Sequence, residues 1–116
     1  MDGLVIKEPW IGMVLDNLKS WEVRGARTRK RGPVYLIRGG SGCIVGQTDI
    51  VGCIRLTEEL FERSREKHRI EAGYGSLPYS CPWAWIFANS VRYKDPVPYR
   101  HPQGAVIWVK DLPGII

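Results

Sequence analysis

The chain holds only two histidines, two phenylalanines and three cysteines in 116 residues. No apolar run approaches the roughly 20 residues that cross a bilayer, which excludes a transmembrane helix. The opening MDGLVIKEPW has neither the charged start nor the apolar stretch of a signal peptide. An intracellular, cytoplasmic protein with no membrane role is therefore expected. Cys43, Cys53 and Cys81 are odd in number and not closely paired. They read as small buried hydrophobes in a reducing compartment, not as a disulfide frame or a zinc site. No paired histidines and no carboxylate spacing suggest a metal, so neither metal nor cofactor is expected. A glycine-rich phosphate loop, a strand–helix alternation and an internal repeat are also missing, which argues against nucleotide hydrolysis of the P-loop kind.

What is present is core material and one concentration of charge. Hydrophobic residues make up 44% of the chain and include five Trp; with five Tyr they are enough to build one domain over 1–116 and too many for a disordered tail. Lys and Arg number 17 against 12 Asp and Glu, a net charge of +5. The segment RGARTRKR carries Arg24, Arg27, Arg29, Lys30 and Arg31 and no acid, so without it the balance is 12 against 12. Five cations with no acid among them cannot be packed inside. The segment should be a solvated loop whose positive patch attracts phosphates by counterion release. The same run also suits a solvated loop without a ligand.

Along the chain, Gly3 to Lys7 reads as a strand, and Pro9 opens a helix whose apolar face is Trp10, Ile11, Val14, Leu15 and Leu18, with Asn17 as a stop. Trp21 to Arg24 alternates as a strand, with Trp21 and Val23 inward. Val34 to Arg38 is a strand, and Gly39 to Gly42 a turn. Cys43 to Leu56 holds two β-rich runs in which Gly46 and Gly52 mark bulges or close backbone approach. Thr57 to Glu71 reads as a surface helix capped by Thr57 and laced by Glu59–Arg63 and Glu62–Arg65, with His68 on its solvated side. Trp83 to Tyr93 and Ala105 to Lys110 are the last strands. The three prolines of KDPVPYRHPQG between them forbid a regular central strand. The sum is an α+β fold: about six mostly antiparallel strands, curved toward a small barrel, with two or three flanking helices.

Four ordered segments then converge on one family. Pro9-Trp10, the run Lys19, Glu22, Arg24, the pair Arg31-Gly32 before VYLI, the strands of GCIVGQTDIVGCIRL and the closing WAWIFANSVRYKDPVPYRHPQGAVIWVKDL together resemble the ASCH domain (activating signal cointegrator homology). The glycine usual two residues before the lysine is Asn17 here, a residue that also accepts a left-handed backbone. The resemblance implies a PUA-like fold, a small β-barrel with helices over its openings, and a cleft lined by the lysine, acid and arginine. Relatives in that family include nucleic-acid binders, hydrolases of the acetyl group of N4-acetylcytidine, proteins associated with ribonuclease activity, and transcription coactivators.

With that cleft, Lys19 and Glu22 become candidate catalytic residues. A desolvated lysine has a depressed pKa and serves as a base, and a carboxylate accepts protons and positions cations. Where the hydrolase branch has threonine this chain has Glu22, which counts against that branch. Arg24, Arg27, Arg29, Lys30 and Arg31 would meet phosphates. Trp10 would offer a stacking face, and Asn89 and Ser90 would read a base edge or simply end a strand. Trp21 and Trp108 are expected in the core. The leading expectation is a monomeric module binding RNA or another single-stranded nucleic acid. The alternatives are a hydrolase or ribonuclease acting through Lys19 and Glu22 on a nucleoside or RNA, and a coactivator-type module binding a small anion or peptide.

Overall fold

The computed structural model describes residues 1–114 of the chain. Its elements are β1 (Gly3–Ile6), α1 (Trp10–Leu15), β2 (Trp21–Arg24), β3 (Gly32–Arg38), β4 (Cys43–Arg55), α2 (Glu58–Glu62), α3 (Arg65–His68), β5 (Trp83–Pro98) and β6 (Trp108–Val109), with a 3-10 turn at Tyr74–Ser76. The six strands form one sheet in the order β2-β5-β4-β3-β1-β6. β1 runs parallel to β3, pairing Gly3 with Tyr35, and every other described pairing is antiparallel. The fold is α+β, as the strand count predicts. The sheet is not closed by backbone hydrogen bonds: β2 and β6 are its two ends. Between β2 and β1 the link is a side chain, the Arg24 guanidinium donating to the Val5 carbonyl at 2.8 Å.

The long antiparallel pair β4–β5 is the spine, and its glycines bend it. Pairing register shifts between Ile44 and Gly46 and between Ile50 and Gly52, the two positions where the sequence predicts irregularity. A Cβ on Gly46 would lie 2.3 Å from the Val91 carbonyl oxygen and 2.5 Å from Leu15, so only glycine lets α1 and β5 approach this closely. β5 also corrects an expectation. It runs on through Pro96 to Pro98, the prolines being tolerated because this half pairs only with β4 and leaves its other edge free. At the far end, β6 shrinks to two residues.

Two further corrections shape the site. α1 stops at Leu15, and Asn17, the expected stop, takes the left-handed conformation (φ 58°) that asparagine accepts; the correction lies in the two residues that follow. That turn reverses the helical pattern: Leu18, read as part of the apolar face, is 51% exposed, and Lys19 turns inward to 2%. The charged helix is broken in two at Arg63 and Ser64. Thr57 caps it as expected, accepting the Leu60 N–H at 3.2 Å, and the Glu59–Arg63 and Glu62–Arg65 pairs form. His68, however, is fully buried and not solvated.

The main core gathers Leu4, Ile6, Ile11, Val14, Leu36 and Phe87 between α1 and the concave sheet. A second cluster joins Trp21, Val23, Leu56, Phe61 and Ala84, clamping α2 to the β2–β5 end. Each such side chain contributes on the order of 1.5–3 kcal/mol by leaving water. Trp21 is core as read, whereas Trp108 is half-buried and stacks on Trp85 with ring centroids 6.0 Å apart. No helix among the described residues is long and apolar enough to span a membrane.

Candidate functional site

Between the end strand β2 and β1 lies a hollow of about 460 Å³. Its floor is Lys19, Glu22 and Arg24, and Trp10 stands at its side. The walls are apolar: Val5 and Val23 from the strands, Ile70, Leu77, Pro78 and Tyr79 from the segment after α3, and Val106 and Ile107 opposite. Val106 is 76% exposed at the edge of this opening.

Local structure fixes each floor residue. The left-handed turn at Asn17 swings Lys19 under the hollow, and the alternation of β2 sends Glu22 and Arg24 to one face. Lys19 Nζ donates to the His68 carbonyl at 2.5 Å, lies 3.8 Å from Glu22 Oε1 and sits 4.9 Å from the centre of the Trp10 ring. Glu22 Oε2 accepts from Arg24 Nε at 3.0 Å and from its terminal nitrogen at 2.9 Å. Arg24 in turn covers the Trp85 ring at 5.7 Å. Glu22 thus sits between two cations, the arrangement that makes a buried carboxylate tolerable. Burial pushes the Lys19 ammonium down to about 8; the charge of Glu22 works against this and that of Arg24 with it. A lysine so placed carries an appreciable neutral fraction near pH 8 and can accept a proton.

His68 supports this floor from below. Its Nδ1 accepts the Ile70 N–H at 3.0 Å, which makes the neutral ring donate from Nε2 to the Phe61 carbonyl at 2.8 Å. The ring stacks on Phe61 at 4.1 Å. Burial lowers the pKa of the imidazole, although its bond to Phe61 opposes this. Two more bonds staple the segment between α1 and β2 to α3 and its C-cap: Arg69 to the Leu18 carbonyl at 2.7 Å and the Ser20 N–H to the Lys67 carbonyl at 3.0 Å.

The basic loop is not uniformly solvated. Its backbone is pinned to the sheet by Trp85 Nε1–H donating to Ala26 at 2.8 Å and by the Thr28 N–H on Cys53 Sγ at 3.4 Å. Arg24 is spent on the floor. Lys30 pairs with Asp2 at 2.7 Å, and this bond, with that from the Asp111 N–H, holds the Asp2 carboxyl below its usual range. Arg31 folds back on the Thr28 and Lys30 carbonyls. Only Arg27 and Arg29 of the five are exposed with no partner among the described residues. They follow Gly25, which abuts Tyr79 at the rim so closely that a Cβ would lie 2.7 Å from its ring.

Trp10, Lys19, Glu22 and Arg24 therefore meet in one hollow. Asn89 and Ser90 do not share it. They sit at the irregularity in β5, where Asn89 (φ 56°) donates to Asp49 at 3.0 Å and Ser90 bonds Thr48 at 2.7 Å. Their polar groups are occupied in holding β5 to β4. Sequence reasoning missed Lys7 and Glu8 at the rim and the 70–79 wall. The signal for the wall was Leu77 and Tyr79 standing among small residues; nothing in sequence spacing marks the His68 carbonyl as a lysine anchor.

The chain matches the ASCH domain over residues 4–97. Its fold is similar to crystal structures of ASCH from Zymomonas mobilis. A serine-to-alanine variant superposes with a TM-score of 0.70 at 8% identity, covering 93% of this chain and 85% of that one. The unsubstituted protein gives 0.68 at 8%, covering 88% and 82%. No curated protein matches the sequence. At that identity the structures speak for the fold alone, and the family match shows the family. Since it spans residues 4–97, most of the sequence, the chain belongs to the ASCH family of the PUA-like superfamily.

Proposed function

We propose that the hollow receives a nucleotide of a single-stranded RNA, with Arg27 and Arg29 meeting the phosphates that lead away from it. The observation that carries this reading is the coincidence of an aromatic face, a polar floor and apolar walls in one opening of about 460 Å³. Apolar walls with a few placed polar groups are the usual make-up of a small-ligand cleft. A base would lie along the Trp10 ring, a contact that in single-strand binding is worth about 1–3 kcal/mol. Its edge would face the Lys19–Glu22–Arg24 floor, where Glu22 accepts and the cations donate. Arg27 and Arg29 supply the partner-free charge, and membership of a family related to RNA-binding PUA domains agrees with the assignment. The test is titration of a fluorescein-labelled single-stranded RNA at low and high salt, with Trp10→Ala beside the native chain. Affinity that weakens with salt, and falls about tenfold in the variant, supports the reading. Affinity indifferent to both overturns it.

The depressed Lys19 pKa favours a second reading, hydrolysis of an acylated nucleoside such as N4-acetylcytidine. Lys19 would act as base toward water, and Glu22 would hold it in place. Incubation with N4-acetylcytidine beside Lys19→Ala decides it. Deacetylation that disappears in the variant, with a rate rising as pH approaches about 8, supports hydrolysis. An unchanged substrate at high protein concentration removes it.

A further inference from the structure

A second cavity of about 280 Å³ shares a lining residue with the first. It is lined by Val5, Gly40, Gly42, Tyr99 and His101, and Val5 lines both openings. Its size is near the lower end of ligand-binding clefts, about 300–1,000 Å³. Gly40 and Gly42 have φ of 79° and 67°, and a Cβ on either would project into open space, so the backbone there is bare. Opposite stands an aromatic pair. The Tyr99 and His101 rings meet edge to face, centroids 5.7 Å apart at 65°. His101 bonds the Ala105 carbonyl through Nε2 at 2.7 Å, which leaves Nδ1 to accept the Tyr99 hydroxyl proton at 2.6 Å. The Tyr99 N–H is itself tied to the Gly42 carbonyl at 3.1 Å. The pair is therefore held in one orientation although His101 is exposed.

Lys7 stands between the two openings. It lines the larger hollow, and its side chain packs beside Gly39, next to the glycines of the smaller one. It is exposed and, unlike Arg24, Lys30 and Arg31, has no polar or ionic partner for its ammonium among the described residues. A free cation between two ring-sized cavities is what a phosphodiester between two bases requires.

From this arrangement we propose that the two cavities are successive subsites for adjacent nucleotides of one strand. The first base lies against Trp10, Lys7 meets the linking phosphate, and the second base lies against Tyr99 and His101 over the bare glycine turn. The inference rests on the nucleotide reading of the larger hollow and sharpens it: the ligand is a polynucleotide and not a free nucleoside. It also gives a role to Tyr99 and His101, which line no part of the larger hollow.

Calorimetric titration with adenosine monophosphate, the dinucleotide ApA and an eight-residue oligoadenylate tests it. The native chain should bind ApA about tenfold more tightly than the monophosphate, the gain of one added stacked base. Tyr99→Ala should erase that gain while leaving monophosphate affinity unchanged. Tyr99→Phe, which keeps the ring, should retain it, so that loss in both variants with altered monophosphate binding would expose misfolding and count against the assignment. Lys7→Ala should weaken ApA and lower its salt dependence. Equal affinity of the native chain for the monophosphate and ApA overturns the two-subsite inference but leaves the nucleotide reading standing. Failure of all three ligands, the oligoadenylate included, to bind overturns both.

Discussion

Glu22 is the residue on which the floor depends, because it neutralises two cations that the fold has taken out of water. It is 5% exposed and pairs with Arg24 through one oxygen while the other faces Lys19. Breaking a buried ion pair from one side typically costs about 3–5 kcal/mol. Glu22→Ala should therefore lower the urea midpoint far more than Arg27→Ala, which removes an exposed charge worth little to stability. Equal midpoints for the two variants would show that the floor is solvated. His68 gives a pH test. Its pKa lies below the ordinary 6.5, so the unfolded chain takes up the proton first as pH falls, and folding stability drops below that value. Denaturation midpoints should fall between pH 6.5 and the onset of carboxylate titration, and His68→Phe, which keeps the stack on Phe61, should flatten that slope. A native slope already flat in this range would contradict the buried neutral ring. At this scale the sequence was partly legible. Lys19, Glu22 and Arg24 could be picked out because their types and order carried a family pattern. His68 could not, since a histidine amid surface charges looks solvated until Phe61 is known to lie beneath it.

Among the elements, the β4–β5 pair and the basic loop decide where the site's groups stand. Gly46 sits where β4, β5 and α1 are in mutual contact. Gly46→Ala should destabilise by about 1–3 kcal/mol, since the neighbour that must yield is a backbone carbonyl. Thermal melting measures it, and an unchanged midpoint would mean that the strands are not packed so closely. The loop separates its own cations by partner. Replacing both Arg27 and Arg29 with alanine should reduce the slope of log affinity against log salt for single-stranded RNA by about 1.4, at roughly 0.7 per phosphate contact. Lys30→Ala, which breaks the tie to Asp2, should lower stability with a smaller effect on that slope. The reverse order of effects would reassign the phosphate contacts. Sequence pattern located the strands and both helical regions because alternation and capping are local. It found the stop and left-handed residue at Asn17 but missed that the turn exposes Leu18, and it missed the break at Ser64 and the run of β5 through two prolines. Each is decided by a tertiary partner: the His68 carbonyl for Lys19, Phe61 beneath α2–α3, and a free sheet edge for the prolines.

Over the whole molecule, an open six-stranded sheet curls until its end strand β2 is joined to β1 by an arginine side chain, and the hollow forms at that seam. In the sequence the excess of +5 falls in the basic loop, but in the fold Arg24 and Lys30 are paired with Glu22 and Asp2, which leaves Arg27 and Arg29 as its exposed charges without a partner among the described residues. The curvature of the sheet was readable from glycine placement, and the family pattern named the cleft. The second cavity was not readable, because Val5, Gly40 and Tyr99 come together only when β1, the turn after β3 and the end of β5 are assembled. The most direct test of the nucleotide account uses the five tryptophans as position markers. Their indole N–H signals are followed by two-dimensional NMR while single-stranded oligoadenylate is added. Trp10, beside the floor, should shift strongly and saturably, Trp85 at the base of the loop should follow more weakly, and Trp21 in the closed core should stay in place. A motionless Trp10, or shifts confined to Trp21, would contradict binding in the hollow.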